Sequence, residues 1–259
     1  MGITLTPARR IDARMVAHDW SWARDNRAAI QAHWEARRAE RPAMFNGTVL
    51  MLRRWSLTEG VLEAELFEAE YAALTALKDW GFPDGSVLNV FAAAVPRTRD
   101  GTFLLGEMGP HTAAAGRVYF PCGTPDPTDI GAEGRVDLAA SALRELREET
   151  GLVAPQGSNQ EPDPGWIVVR DGGLMALLRP VQLAEDEAVV RERIAAHLAA
   201  EDEPELSAIV GVRTSSDLDP ARMPGFVRHY LASVLAGRSA ESAEAAAGFA
   251  ARICGETRT

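Results

Sequence analysis

Apolar positions recur along the chain with two different periods. From Ser21 to Glu40, Trp22, Ile30 and Trp34 fall on one side of a helical repeat that stops near Pro42. Thr48 to Trp55 and Val61 to Phe67 read as strands joined at Thr58-Glu59-Gly60, and Glu68 to Trp80 reads as a helix halted by Gly81 and Pro83. Ser86 to Pro96 is a long apolar run, the mark of a buried strand, and Thr102 to Met108 and Val118 to Phe120 are further strands. After Pro121-Cys122-Gly123, the stretch Thr124 to Gly134 is rich in Pro, Asp and Gly and reads as a loop. Asp137 to Thr150 is a helix. Trp166 to Arg170 and Leu174 to Leu183 form a hairpin around Asp171-Gly172-Gly173. Glu187 to Ala200 is a helix, Leu206 to Arg213 a strand and Pro224 to Leu235 a helix. Strands mixed with helices predict an α/β or α+β layered fold. The chain divides into an α+β region at 1–85, a domain at 86–237, and an Ala-rich helix or tail at 238–259.

Of the six tryptophans, all but Trp166 fall in the first region, so that region is expected to build its own apolar core; the alternative is that one of them lines a ligand pocket. A net charge of −10 disfavours a nucleic-acid partner and an anionic membrane surface. It leaves room for a small phosphorylated ligand, since a bound cation reverses the local sign. The two cysteines, Cys122 and Cys254, lie far apart and fit a reducing compartment, and no apolar run is long enough to cross a membrane. A cytoplasmic location is expected.

The chemistry concentrates in Arg144-Glu145-Leu146-Arg147-Glu148-Glu149-Thr150-Gly151-Leu152. On a helix, Leu138, Ala139, Ala142, Leu143 and Leu146 form one apolar stripe, and Glu145, Glu148 and Glu149 share the face beside it. The like charges at i,i+3 and i,i+4 repel by about 0.2–0.5 kcal/mol each. Glu148 and Glu149 also oppose the helix dipole in the last turn. A solvated acidic face is the plain reading of such a cluster. A hard divalent cation on oxygen ligands is the functional one.

The order of residues bears on that choice. Arg144 to Leu152 resembles the core of the Nudix box at every fixed position, and Phe120-Pro121-Cys122-Gly123 is similar to the lead-in of many Nudix enzymes, with Cys122 in place of a glycine. The resemblance implies a Nudix-type α/β/α sandwich with a mixed sheet, carrying an N-terminal α+β extension. It also implies a diphosphatase in which Glu145, Glu148 and Glu149 bind Mg²⁺ or Mn²⁺, one of them orienting or deprotonating water. Arg144 would be the ion-pair partner holding the glutamates, and Gly151 the left-handed helix end. Gly123 would bring backbone close to the metal.

The chain departs from the pattern upstream. Where the box has a further Glu this chain has Val136, Asp137 reads as the helix N-cap, and Thr124 to Gly134 is an insertion. That insertion is expected to be a surface loop, with Asp126 or Asp129 assisting a metal as the alternative. Glu205 is a candidate auxiliary ligand or base. Arg117 is a candidate phosphate contact, and His111 is expected to be an exposed loop residue. The segments around Trp34, Arg37-Arg38 and Pro42 to Gly47, together with Gly116 to Pro121, loosely resemble the UDP-glucose diphosphatase-like Nudix group. A nucleoside diphosphate derivative such as a UDP-sugar is therefore the expected substrate. Coenzyme A and ADP-ribose or dinucleotides are the alternatives, and a non-catalytic nucleotide sensor is the alternative of another class. The resemblance admits a homodimer, but nothing in the sequence marks an interface.

Overall fold

The computed structural model describes residues 2–42, 44–154 and 165–237; the reading of 238–259, with Cys254, lies outside them. In chain order the elements are β1 (Thr4–Ala8), β2 (Arg10–Met15), α1 (Ser21–Asp25), α2 (Arg27–Glu40), β3 (Thr48–Thr58), β4 (Val61–Glu70), α3 (Tyr71–Asp79), β5 (Asn89–Arg97), β6 (Phe103–Met108), β7 (Val118–Tyr119), β8 (Cys122–Gly123), β9 (Arg135–Val136), α4 (Leu138–Thr150), β10 (Trp166–Asp171), β11 (Leu174–Gln182), α5 (Glu187–Ala199) and β12 (Leu206–Val212), followed by a helix α6 at residues 225–237.

The larger sheet runs β1-β10-β11-β5-β6-β12, parallel at β11/β5 and antiparallel elsewhere. Its central hairpin is splayed. β5 and β6 share a single pair, Arg97 with Phe103, and beyond it β8 pairs with β5 while β7 pairs with β6. Gly123 therefore enters the sheet through a gap between two of its strands.

Alternation along β5 sorts the core. Val90 and Ala92 face one cluster with Leu50, Leu52, Leu62 and Leu66 of the smaller sheet and with Leu138 and Ala142 of α4. Phe91, Ala93 and Val95 face the other way, toward Phe226, Val227, Tyr230 and Leu231 of α6. Ala94 meets Leu146, and beyond it Val190 and Ile194 of α5. Helices thus cover both faces of a mixed sheet, the α/β/α sandwich implied by the resemblance.

The smaller sheet, β3-β4-β2-β9, packs on the α4 side, and its outer face carries α1–α3 over Trp20, Ile30, Trp34, Met51 and Phe67. The tryptophans divide accordingly: Trp20 and Trp34 are buried in that core, while Trp55 and Trp80 reach solvent. Residues 1–85 and 86–237 also exchange strands. β1 joins the larger sheet on β10, and β9 joins the smaller one on β2.

Several boundaries differ from the sequence reading. The helix expected from Glu68 starts at Tyr71, because β4 stays paired with β3 out to Glu70. The Ser21–Glu40 helix breaks at Asn26, whose side chain donates to the Trp22 carbonyl. β1 and β2 were not foreseen. Among the described residues no helix is long and apolar enough to cross a membrane.

α4 has locally legible ends. Asp137 caps it, accepting hydrogen bonds from the Ala139 and Ala140 amides at 3.1 and 2.9 Å. Gly151 ends it at φ 67°, and a Cβ there would lie 2.7 Å from Cγ of His197. Gly151→Ala should cost about 1–2 kcal/mol from the left-handed backbone alone, more with the His197 clash. A chemical denaturation curve measures this, and an unchanged midpoint would contradict the cap.

Candidate active site

Three neighbouring elements build the site: α4, the β8 corner at Cys122-Gly123, and the insertion between them. With the apolar stripe of α4 buried against β5, Glu149 is drawn inward and is only 5% exposed. Its Oε1 accepts the Cys122 amide at 3.1 Å. Glu145, one turn earlier, lies against Gly123 so closely that a Cβ on that glycine would stand 2.3 Å from Glu145 Oε1. Glu148 turns outward, with a side chain 51% exposed and 3.3 Å from Arg144 Nη1. The same Nη1 donates to Glu145 Oε1 at 2.8 Å.

Electrostatically these acids crowd one another. Burial pushes the Glu145 carboxyl up to about 7; Arg144 opposes the shift, and Glu148, Glu205 and Asp129 add to it. Burial raises Glu149 well above the carboxylate range. The Glu205 charge adds to that, and the Cys122 amide works against it. Glu205 is itself raised by the protein around it, with His111 drawing it back and Glu201 and Glu148 adding to the rise. The Cys122 thiol is pushed well up by burial and then by Glu149, Glu145 and Glu205, with Lys78 opposing the rise.

Glu205 therefore weighs on Glu145 and Glu149 although it comes from the loop before β12. That loop is tied in by the Gly109 amide, which donates to the Glu205 carbonyl at 2.7 Å, beside His111.

Two other sequence candidates have surroundings that the sequence did not announce. Arg117 is exposed and donates to the Ala221 carbonyl at 3.3 Å, so the fold turns it toward the 219–223 turn. Asp129 is not on a surface loop. Its side chain is 4% exposed and grips Arg144 Nη2 at 3.2 and 3.3 Å, while Asp126 caps the short 3₁₀ turn before it. Residues that the sequence reading passed over also bear on the site. Lys78, at the end of α3, is lowered by burial, and Tyr71 and Tyr119 are raised by burial. Their signal was hidden, because Lys78 is one lysine on a helix read as plain structure.

The donor set suits a hard divalent cation. Buried carboxylate oxygens repel one another, and burial alone disfavours their charged forms, so added positive charge among them is favourable. Among the described residues, no three His, Cys, Asp or Glu side chains close on one point as they stand. Glu148, paired with Arg144, is the box acid farthest from burial.

No family model matches the chain, and no curated protein does. Solved structures do align with part of it, among them the following three. A MutT protein from Methanosarcina mazei Go1 is 16% identical over 55% of this chain and 89% of its own, with a TM-score of 0.37. A NUDIX hydrolase from Nitrosomonas europaea is 19% identical over 58% and 90%, with a TM-score of 0.38. A Nudix hydrolase from M. smegmatis, RenU, is 14% identical over 57% and 84%, with a TM-score of 0.33. The chain resembles the Nudix hydrolases most directly in the box itself, Arg144 to Leu152, seated on one helix with its first glutamate against Gly123.

Proposed function

We propose that this chain is a metal-dependent diphosphatase that adds water across the P–O–P linkage of a nucleoside diphosphate derivative, with a UDP-sugar as the favoured substrate, and that it works in the cytoplasm. The observation that carries this reading is the convergence of Glu145 and Glu149 at the Cys122-Gly123 corner. An acidic face meant only for solvent has no reason to bury its carboxylates.

Glu145, Glu148 and Glu149 would hold Mg²⁺ or Mn²⁺, with Glu205 as a further ligand or as the base. When bound, the ion supplies charge that polarises phosphoryl oxygens and acidifies water. The chain's own groups do the rest. Arg144 fixes the Glu145 carboxylate, and the Cys122 amide fixes Glu149. Burial disfavours the Lys78 ammonium in the N-terminal layer, and an anionic substrate there would favour it again. That layer also carries the segments loosely similar to the UDP-glucose diphosphatase-like group, and this supports the choice of a UDP-sugar.

The test is a panel of UDP-sugars, ADP-ribose, dinucleotides and coenzyme A with Mg²⁺ or Mn²⁺, read by ³¹P NMR. A UDP-sugar should give UMP and a sugar 1-phosphate, with one water consumed per linkage. Binding without turnover of any member would replace the hydrolase reading with a sensor.

A further inference from the structure

Arg144 stands between two sets of acids. One side of its guanidinium meets Glu145 and Glu148 through Nη1, and the other meets both oxygens of Asp129 through Nη2. Long side chains on a helix face are mobile, and a guanidinium gripped by Glu145 and Glu148 alone would move with them. Asp129 is held on every side. Its Oδ2 also accepts the buried Ser141 hydroxyl at 3.1 Å and the Asp126 amide at 3.1 Å. Its carbonyl accepts the amide of Asp137, the cap of α4, at 3.0 Å. The insertion carrying it is anchored in turn: the Pro125 carbonyl accepts the Leu50 amide of β3 at 2.7 Å, and β9 pairs with β2. Val136, where the box pattern has an acid, is buried in the apolar core, so the acid that reaches Arg144 comes from the insertion.

We propose that Asp129 is a positioning residue: it fixes the Arg144 guanidinium, and through it the Glu145 carboxylate at Gly123, so that the insertion is part of the catalytic apparatus. This rests on the diphosphatase reading. A purely structural role, in which Asp129 only closes the insertion, would cost stability and leave the rate alone.

A double-mutant cycle separates the two. Asp129→Asn keeps the shape and removes the charge. It should lower kcat and Mn²⁺ affinity about 10–100-fold, the usual cost of losing a partner that orients a metal ligand. KM should stay within about twofold. In an Arg144→Ala background the same change should have no further effect. Ser141→Ala, which removes one of the three hydrogen bonds to Asp129 Oδ2, should show the same pattern at about a few-fold. A normal kcat with a lowered melting temperature in Asp129→Asn, or losses that multiply in the double variant, would overturn the proposal. Should Asp129→Asn not fold, unchanged kcat and Mn²⁺ affinity in Ser141→Ala would overturn it. Mn²⁺ affinity, read by electron paramagnetic resonance without substrate, keeps this result distinct from the panel. An inactive wild type would sink the diphosphatase reading, while the Mn²⁺ cycle still decides on Asp129.

Discussion

Glu149→Gln should reduce turnover about a thousandfold, equivalent to about 4 kcal/mol of transition-state stabilisation, while the fold survives. Gln can still accept the Cys122 amide, so the geometry of the corner is kept and the charge is what disappears. The same substitution should stabilise the metal-free protein at alkaline pH. Glu149 is raised far above its unfolded value, so the folded state holds a proton that the unfolded chain releases. Stability of the metal-free wild type therefore falls as pH rises above the ordinary carboxylate range, and a glutamine has no proton to lose. Thermal melts of chelator-treated protein at pH 5 and pH 8, beside kcat with Mg²⁺, measure both effects. Glu148→Gln belongs to the same rate expectation. Near-wild-type turnover in both variants would remove the box from the mechanism.

Gly123→Ala should cut kcat about a hundredfold, or about 2.7 kcal/mol, with little change in stability. All three atoms that the added methyl would strike belong to the end of the Glu145 side chain, at 2.3, 2.4 and 2.9 Å. That end is flexible, so the backbone can stay while the carboxylate is driven from its place. Displacement of this size is where positioning matters most to a rate. A crystal structure of the variant would show Glu145 rotated off the corner, and an unshifted Glu145 with normal kcat would contradict the packing described here.

Much of this arrangement was legible because its causes are local. Asp137 caps α4, an apolar stripe seats it, and Gly151 ends it, all within one short stretch. The Thr58-Glu59-Gly60 turn was readable for the same reason, with Glu59 and Gly60 both at positive φ. What escaped depends on distant partners. Thr4–Ala8 becomes a strand only because Trp166–Asp171 offers it an edge. Thr124 to Gly134 has loop composition, and nothing within it announces that Leu50 and Arg144 will hold it in place. The Arg117 contact to the Ala221 carbonyl is another that joins positions far apart in the chain. The bond from the Gly109 amide to the Glu205 carbonyl likewise joins positions that no spacing along the chain announces.

The pairing of β1 with β10, from Thr4 opposite Arg170 to Ala8 opposite Trp166, bears on any attempt to trim the chain. Severing it after residue 85 would strip β10 of its outer neighbour and uncover a row of unsatisfied amides and carbonyls. It would also lay bare the apolar underside of Val90, Val168, Met175 and Leu177 now covered by the smaller sheet. Such a border invites stacking between copies, so a shortened catalytic half would tend to aggregate before its chemistry could be judged.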